Sequence, residues 1–401
     1  LKILQLCPRI PYPPHDGGAI AMYDVTSNLA AEGHEVTLLA INTPKHFQPA
    51  SVMENVARVI AIPVNTDLSK RKAFLNLFKS VPYNLERFIS REVESALTEL
   101  LQKETFDIIQ VEGLFMAYYV DVIRKYSKAP VIMRSHNVEY LIWERLAANE
   151  QSLLKKAYLK YLANGMKSFE KSYLNKFDAI ASITEEDKIR MRELGCTVPI
   201  EFIPAGVEMA RFQLNPEIKA KPKSLFIISS LNWLPNLEGI DWFLENVWKT
   251  VAKTLPNLEL HIAGKSPPEH LLKLDLPNVF VHGFVPSAPE FMQQYDIMLV
   301  PLLSGGGMRI KIIEGMALGK CILTTPVGAE GISVEPGKEI YISDKAESWA
   351  QWLREYAAGT LPVTETGMAA AEKAKNAYDN RRIIQKFLQL YASYSPIKAS
   401  S

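Results

Sequence analysis

The stretch IMLVPLLSGGGMRIKIIEGMALGKCILT, residues 297–324, shows in miniature how the chain is built. Ile297–Pro301 is a short β-branched and Leu-rich run, and Gly305, Gly306 and Gly307 interrupt it. Ile310, Ile313 and Ala317 then recur at helical spacing, as if on one buried face. Cys321–Thr324 is again apolar. Strand, turn, helix and strand in that order require a crossover, so the two strands lie parallel with the helix across one face.

The same alternation extends in both directions. Six runs fall after Pro222: Ser224–Ser229, Leu258–Ala263, Val279–Val281, Ile297–Pro301, Cys321–Thr324 and Glu339–Ile342. Seven precede it: Lys2–Cys7, Val36–Ile41, Val59–Ile62, Ile108–Val111, Val131–Met133, Ala179–Ile183 and Ile200–Ile203. Amphipathic patterns separate them, such as Ile20–Glu32, where Ile20, Val25, Leu29 and Ala30 share a face before Gly33. The expectation is an α/β chain of two doubly wound parallel-sheet domains, residues 1–205 and 206–380. Pro204–Lys223, with three prolines, reads as the hinge. Residues 381–401 carry an amphipathic helix (Ile383, Ile384, Phe387, Leu388, Tyr391) expected to pack back toward the first domain. Ligands of such domains are expected between them, at the carboxyl ends of the strands.

Composition narrows the function. Across 401 residues, 45 Lys and Arg balance 44 Asp and Glu, which gives no global reason to bind nucleic acid. Cys7, Cys196 and Cys321 are too scattered for a disulfide framework or a zinc site, which fits a reducing compartment. No apolar run reaches the roughly 18–20 residues of a membrane span. Leu1–Cys7 reads as a core strand and not as a leader. The expected location is cytoplasmic. One stretch, Thr66–Arg91, mixes six basic and two acidic residues with Phe and Leu, and Lys155–Lys176 is a second basic helix. Both suit peripheral contact with an anionic bilayer at the inner membrane face, or a solvated helix face over the core.

Three motifs stand at carboxyl ends of predicted strands. Pro8–Gly18 follows the first, where Gly17 and Gly18 let backbone approach an anionic ligand at a helix N-terminus. Met133–Glu139 follows another and places Arg134, His136 and Asn137 to meet a sugar or phosphate. Ser304–Lys320 is the third. Three glycines before a helix expose several N–H donors to a phosphate, Arg309 and Lys311 add positive charge, and Glu314 lies on the same helix. It is not a Walker A loop, because Lys320 has no Ser or Thr after it and leads into a strand.

Ser304–Lys320, followed by Val327-Gly328-Ala329-Glu330-Gly331, resembles the donor-binding region of the retaining family 4 (group 1) glycosyltransferases. His136-Asn137 and Gly17-Gly18 resemble matching parts of that family's N-terminal domain. The resemblance implies a GT-B fold of two Rossmann-like domains facing across a cleft. It implies a nucleotide-sugar donor held mainly by the C-terminal domain and a glycan or lipid-linked acceptor held mainly by the N-terminal one. Glu314 matches the second Glu of the family's E-x7-E motif and is implied to accept from the donor ribose hydroxyls. The first Glu would fall at Gly306 and is missing. Gly305, Gly306, Gly307 and Met308 are then expected to offer backbone N–H groups instead.

The Arg and Lys that the family often carries after the first strand of this domain are also missing, since the segment reads Ser229-Ser230-Leu231-Asn232-Trp233-Leu234-Pro235-Asn236. A departing diphosphate still needs compensation. Arg309 and Lys311 are expected to provide it, with Arg134 as a third candidate and Ser230 and Asn236 adding neutral hydrogen bonds. His136 is expected to orient the transferred sugar or the acceptor. No metal site and no cofactor is expected, the nucleoside diphosphate sugar being a substrate. A catalytically silent nucleotide-sugar-binding or scaffold protein of the same fold is the competing reading; a sugar phosphorylase or nucleotide-sugar epimerase is a third.

Overall fold

The computed structural model describes residues 1–394 apart from 15, 68, 70, 72–74 and 77–80. It divides into two compact units, Leu1–Ala205 together with Ile383–Ser401, and Gly206–Arg382.

The first unit is built on seven strands: β1 (Lys2–Cys7), β2 (Glu35–Asn42), β3 (Arg58–Pro63), β4 (Ile108–Glu112), β5 (Val131–Ser135), β6 (Ala179–Ser182) and β7 (Ile200–Phe202). Their order is β3-β2-β1-β4-β5-β6-β7, every neighbouring pair parallel. Strand alternation sends Leu4, Leu6, Ile109 and Met133 into one core cluster, with Ile3, Cys7, Ile108 and Ile132 in another. Both faces are covered, which is why these strands read as unbroken apolar runs. Helix α1 (Gly17–Ala31) covers the second face. After β5 come α2 (Glu139–Asn149) and α3 (Leu153–Tyr173), which pack on each other.

The second unit holds β8 (Lys221–Ile228), β9 (Glu259–Ala263), β10 (Val279–Gly283), β11 (Tyr295–Val300), β12 (Cys321–Thr324) and β13 (Tyr341–Ile342). Their order is β10-β9-β8-β11-β12-β13, again all parallel. Helices α4 (Leu234–Phe243), α5 (Ile310–Ala317) and α6 (Val363–Ala377) flank this sheet. The last helix, α7 (Asn380–Ala392), begins in the second unit and runs into the first. Its Ile383, Ile384, Phe387, Leu390 and Tyr391 join the cluster of Ile3, Val25 and Ile132.

The doubly wound architecture is the one expected, and each of the apolar runs contains a strand. Three details differ. Helix α1 starts at Gly17, because the Asp16 side chain caps it by accepting from the Ala19 N–H at 3.1 Å. Gly17 and Gly18 are therefore its first turn and not a loop, while Ile20 and Ala30 are only half-buried. In α5, Ile312 and Met316 are buried along with Ile310 and Ile313, and Ala317 is not. The helix lies between β12 and α6, so two of its faces are covered. The stretch after Pro204 is built into the second unit: the Val207 N–H donates to the Tyr378 carbonyl at 2.8 Å, and Phe212 is buried.

Candidate functional site

In a parallel doubly wound sheet the crevice opens where the strand order reverses, because adjacent strands there send their connections to opposite faces. In the second unit that point lies between β8 and β11, so the loops after these strands must meet. They do. The Lys311 ammonium donates to Asn236 Oδ1 at 3.0 Å, and the Asn236 amide donates to the Ser230 carbonyl at 2.9 Å. The Ser304 hydroxyl donates to Glu238 Oε2 at 2.6 Å, tying the glycine loop to α4. Gly239 permits the close approach of α4, since a Cβ there would stand 2.0 Å from the Pro301 carbonyl oxygen.

Gly305 (φ +112°) and Gly307 (φ +78°) take left-handed backbone that side chains resist. Among the described residues nothing accepts from the N–H groups of Gly306, Gly307 or Met308. Arg309 stands at the N-cap position of α5, and no side chain caps the helix. Its guanidinium turns back, donating to the Gly306 carbonyl and, at 2.7 Å, to that of Gly307. Donor groups and a fixed positive charge thus converge at the uncapped start of a helix, an arrangement that favours an anion. Lys311 lies in the first turn; burial, with Arg309 nearby, pushes its ammonium down to about 7, and Glu314 opposes the shift. Lys311 and Glu314, three positions apart, share a face of α5. Trp233, 60% exposed, precedes α4.

In the first unit the order reverses between β1 and β4. His136 follows β5, and its Nε2 lies 2.8 Å from Glu112 Oε2 at the end of β4. Gly113 (φ +76°) then turns the chain under the ring, its missing Cβ 3.5 Å from His136 Cδ2. Glu139 and Glu170 are buried together, and burial raises their carboxyls to about 7 and about 8. Glu170 accepts from the Glu139 and Tyr140 N–H groups at 3.3 and 3.4 Å, holding the start of α2.

Two family models match this chain: Glycosyltransferase Family 4 over residues 15–211, and Glycosyl transferases group 1 over residues 222–358. The chain belongs to the group 1/family 4 glycosyltransferases. It is 24% identical to an uncharacterised 44.6 kDa protein in the cps region of Klebsiella pneumoniae, over 97% of this chain and 99% of that one. Its fold is GT-B. It resembles sucrose-phosphate synthase from Thermosynechococcus elongatus (TM-score 0.72, 15% identity, covering 98% of this chain and 99% of that one). It also resembles HepE of Anabaena in complex with UDP (TM-score 0.69, 12% identity, covering 98% and 100%).

In this glycosyltransferase the second unit brings together Ser230, Asn236, Arg309, Lys311 and the glycine loop, with Glu314 on the same helix as Lys311. Gly17, Gly18 and His136 belong to the first unit. Arg134, read as a third cation for the diphosphate, is sealed in the first unit's core at 1% exposure, with its guanidinium 4.7 Å from the Phe387 ring centroid. It has no surface to offer a substrate. The sequence reading missed Glu112, because that residue closes an apolar run and lies 24 positions from the ring it touches. It missed Gly239 as well, since only the close approach of α4 to the end of β11 gives that glycine a meaning.

Proposed function

We propose that this glycosyltransferase moves a sugar, with retention of configuration and without metal or cofactor, from a nucleoside diphosphate sugar to a glycan or lipid-linked acceptor. The observation that supports this most is the set of unengaged Gly306, Gly307 and Met308 amides beside Arg309 and an enclosed, weakly basic Lys311. A loop rich in N–H donors beside two basic side chains suits a diphosphate, whose charge grows as it leaves. Glu314 accepts from the ribose hydroxyls. The bond from C1 to the phosphate oxygen breaks, C1 joins the acceptor oxygen on the same face, and the acceptor proton passes to the departing phosphate. His136, with Gly17 and Gly18, orients the acceptor side.

The HepE complex with UDP supports a nucleotide in this fold, and the relative in a cps region supports a role in surface polysaccharide assembly. A cytoplasmic enzyme at the inner membrane face suits that role. Among the described residues no helix is long and apolar enough to cross a membrane.

UDP-, GDP- and ADP-glucose, screened by thermal shift and then by nucleotide release, test the reading. The Glu314→Ala variant should raise donor KM about 10- to 100-fold, the equivalent of roughly 1.5–3 kcal/mol for hydrogen bonds to a charged group. Arg309→Ala combined with Lys311→Ala should slow release far more than it lowers the melting temperature. A protein that nucleotide sugars stabilise but that releases no nucleotide with any acceptor mixture is the silent binder instead, a reading favoured by the glycine at position 306.

A further inference from the structure

The face of the first sheet beneath α1 and α7 should be apolar, yet four polar side chains interrupt it at matching heights. Gln5 lies opposite Gln110 across the β1–β4 ladder, and Glu112 lies opposite Arg134 across β4–β5. All four are 0–1% exposed. Burying a carboxylate and two amides is costly unless every group is matched. Among the described residues Gln5 Nε2 and two nitrogens of Arg134, Nε and Nη1, stand without a hydrogen-bond partner, but the Gln110–Glu112 part is matched, and its matching has a direction. The Tyr391 hydroxyl, on α7, donates to Gln110 Oε1, and the Gln110 amide N–H donates to Glu112 Oε1. His136 Nε2 completes the line at Glu112 Oε2, 2.8 Å away. Arg134 brings its positive charge beside the same carboxylate.

Each link constrains the next. A carboxylate only accepts, so Gln110 must turn its N–H₂ toward Glu112 and its oxygen toward Tyr391, which donates to it. By the same rule the His136 nitrogen facing Glu112 must carry the proton. The neutral ring then has its lone pair at Nδ1, for which no partner stands among the described residues, and the side chain is 16% exposed.

We propose that Glu112 is a positioning residue for His136. Held in place by Tyr391 and Gln110, it fixes the ring as the Nε2–H tautomer so that Nδ1 accepts a hydrogen bond from a substrate hydroxyl. This deepens the transferase reading and rests on it. It also gives α7 a part in the acceptor side of the reaction, across 281 positions of chain between Gln110 and Tyr391. Wrong-tautomer histidines in other enzymes lose several orders of magnitude in turnover, so the arrangement carries real consequence.

The test is Glu112→Gln, which keeps the shape but presents an N–H₂ where only acceptors stood. With Gln110 still donating to the new oxygen, the new N–H₂ faces the ring and Nε2 accepts, which moves the ring proton to Nδ1. Two-bond ¹H–¹⁵N spectra of histidine-labelled protein, with His136→Gln to assign the signal, should show Nε2–H in the wild type and Nδ1–H in the variant. Release of UDP from UDP-glucose should fall about 10- to 1000-fold in kcat with donor KM unchanged. Tyr391→Phe, a milder change, should keep the Nε2–H tautomer and lower kcat less, with the thermal melt and spectral dispersion showing that it folds. A wild-type ring that does not carry its proton on Nε2 overturns the proposal, as does a flipped tautomer in Glu112→Gln with undiminished kcat. A wild type that turns over no nucleotide sugar overturns the transferase reading, and the ring spectra then still decide whether Glu112 sets the tautomer.

Discussion

Lys311 loses its proton easily because burial disfavours its charge and Arg309 stands close by, a shift that Glu314 opposes. Its ammonium titrates near 7 in the folded chain, against an ordinary value near 10.5. The unfolded chain therefore holds more protons between those values, and stability rises with pH across that window. Below about pH 7 the folded protein holds this half-buried ammonium at a cost that Glu314 and the Asn236 hydrogen bond offset only in part. A diphosphate reverses the balance by supplying the missing negative charge, so binding at pH 8 should draw most of one proton from solvent. Calorimetric titration with UDP in HEPES and in Tris should give enthalpies that differ by the buffers' ionisation heats, and Lys311→Met should erase the difference. Equal enthalpies in the wild type would show that Lys311 does not meet the phosphates. The residue types at this site were legible in the sequence, because glycines, Arg309 and Lys311 stand close together. The protonation of Lys311 was not, since it depends on how far folding buries the side chain, which no local spacing announces.

At the scale of elements, the strands were readable because sheets covered on both faces demand apolar runs, and these runs have few other uses. Helix faces were less so. In α5 the spacing pointed to one buried stripe, but α6 covers a second face that no local pattern announces. Helix α3 shows the opposite departure. Leu153 and Leu154 are 83% and 86% exposed, Ala157 and Tyr161 continue the same stripe, and Lys155 and Lys160 stand exposed beside it. Much of the Thr66–Arg91 stretch lies outside the described residues, so α3 is the basic segment on which the bilayer idea can be argued. Leucines flanked by lysines suit the interface of an anionic bilayer. The protein should float with phosphatidylglycerol vesicles at low salt and less at high salt. Burying each Leu contributes roughly 1.5–3 kcal/mol, so Leu153→Ser with Leu154→Ser should lower partitioning by about 100-fold or more. Equal flotation of the variant and the wild type would remove α3 from membrane contact.

For the whole molecule, chain order and core membership part company at α7. Phe387, near the end of the sequence, is 0% exposed in the cluster of Ile3, Val25 and Ile132, whereas Trp349, earlier in the chain, is 0% exposed in the second unit. Trp349 also donates to the Ser343 carbonyl at 2.8 Å. The amphipathic spacing of α7 was visible in the sequence. The polar groups it would meet were not, because Gln110 lies inside an apolar run and Arg134 reads as a cation for the diphosphate. If the two units unfold as separate cooperative bodies, calorimetry of the wild type should resolve two transitions. Phe387→Ala removes a ring that packs on α7's own Tyr391 and under which Arg134 lies. A loss of about 3–5 kcal/mol is expected for such a truncation. In a unit of this size that moves a midpoint by roughly 10 °C. Phe387→Ala should shift the transition of the first unit and leave the other in place, and Trp349→Ala should do the reverse. Residues 387 and 349 moving the same transition together would mean that the C-terminal helix stabilises the second unit as much as the first, and that the division at Arg382 is not a division of cooperativity.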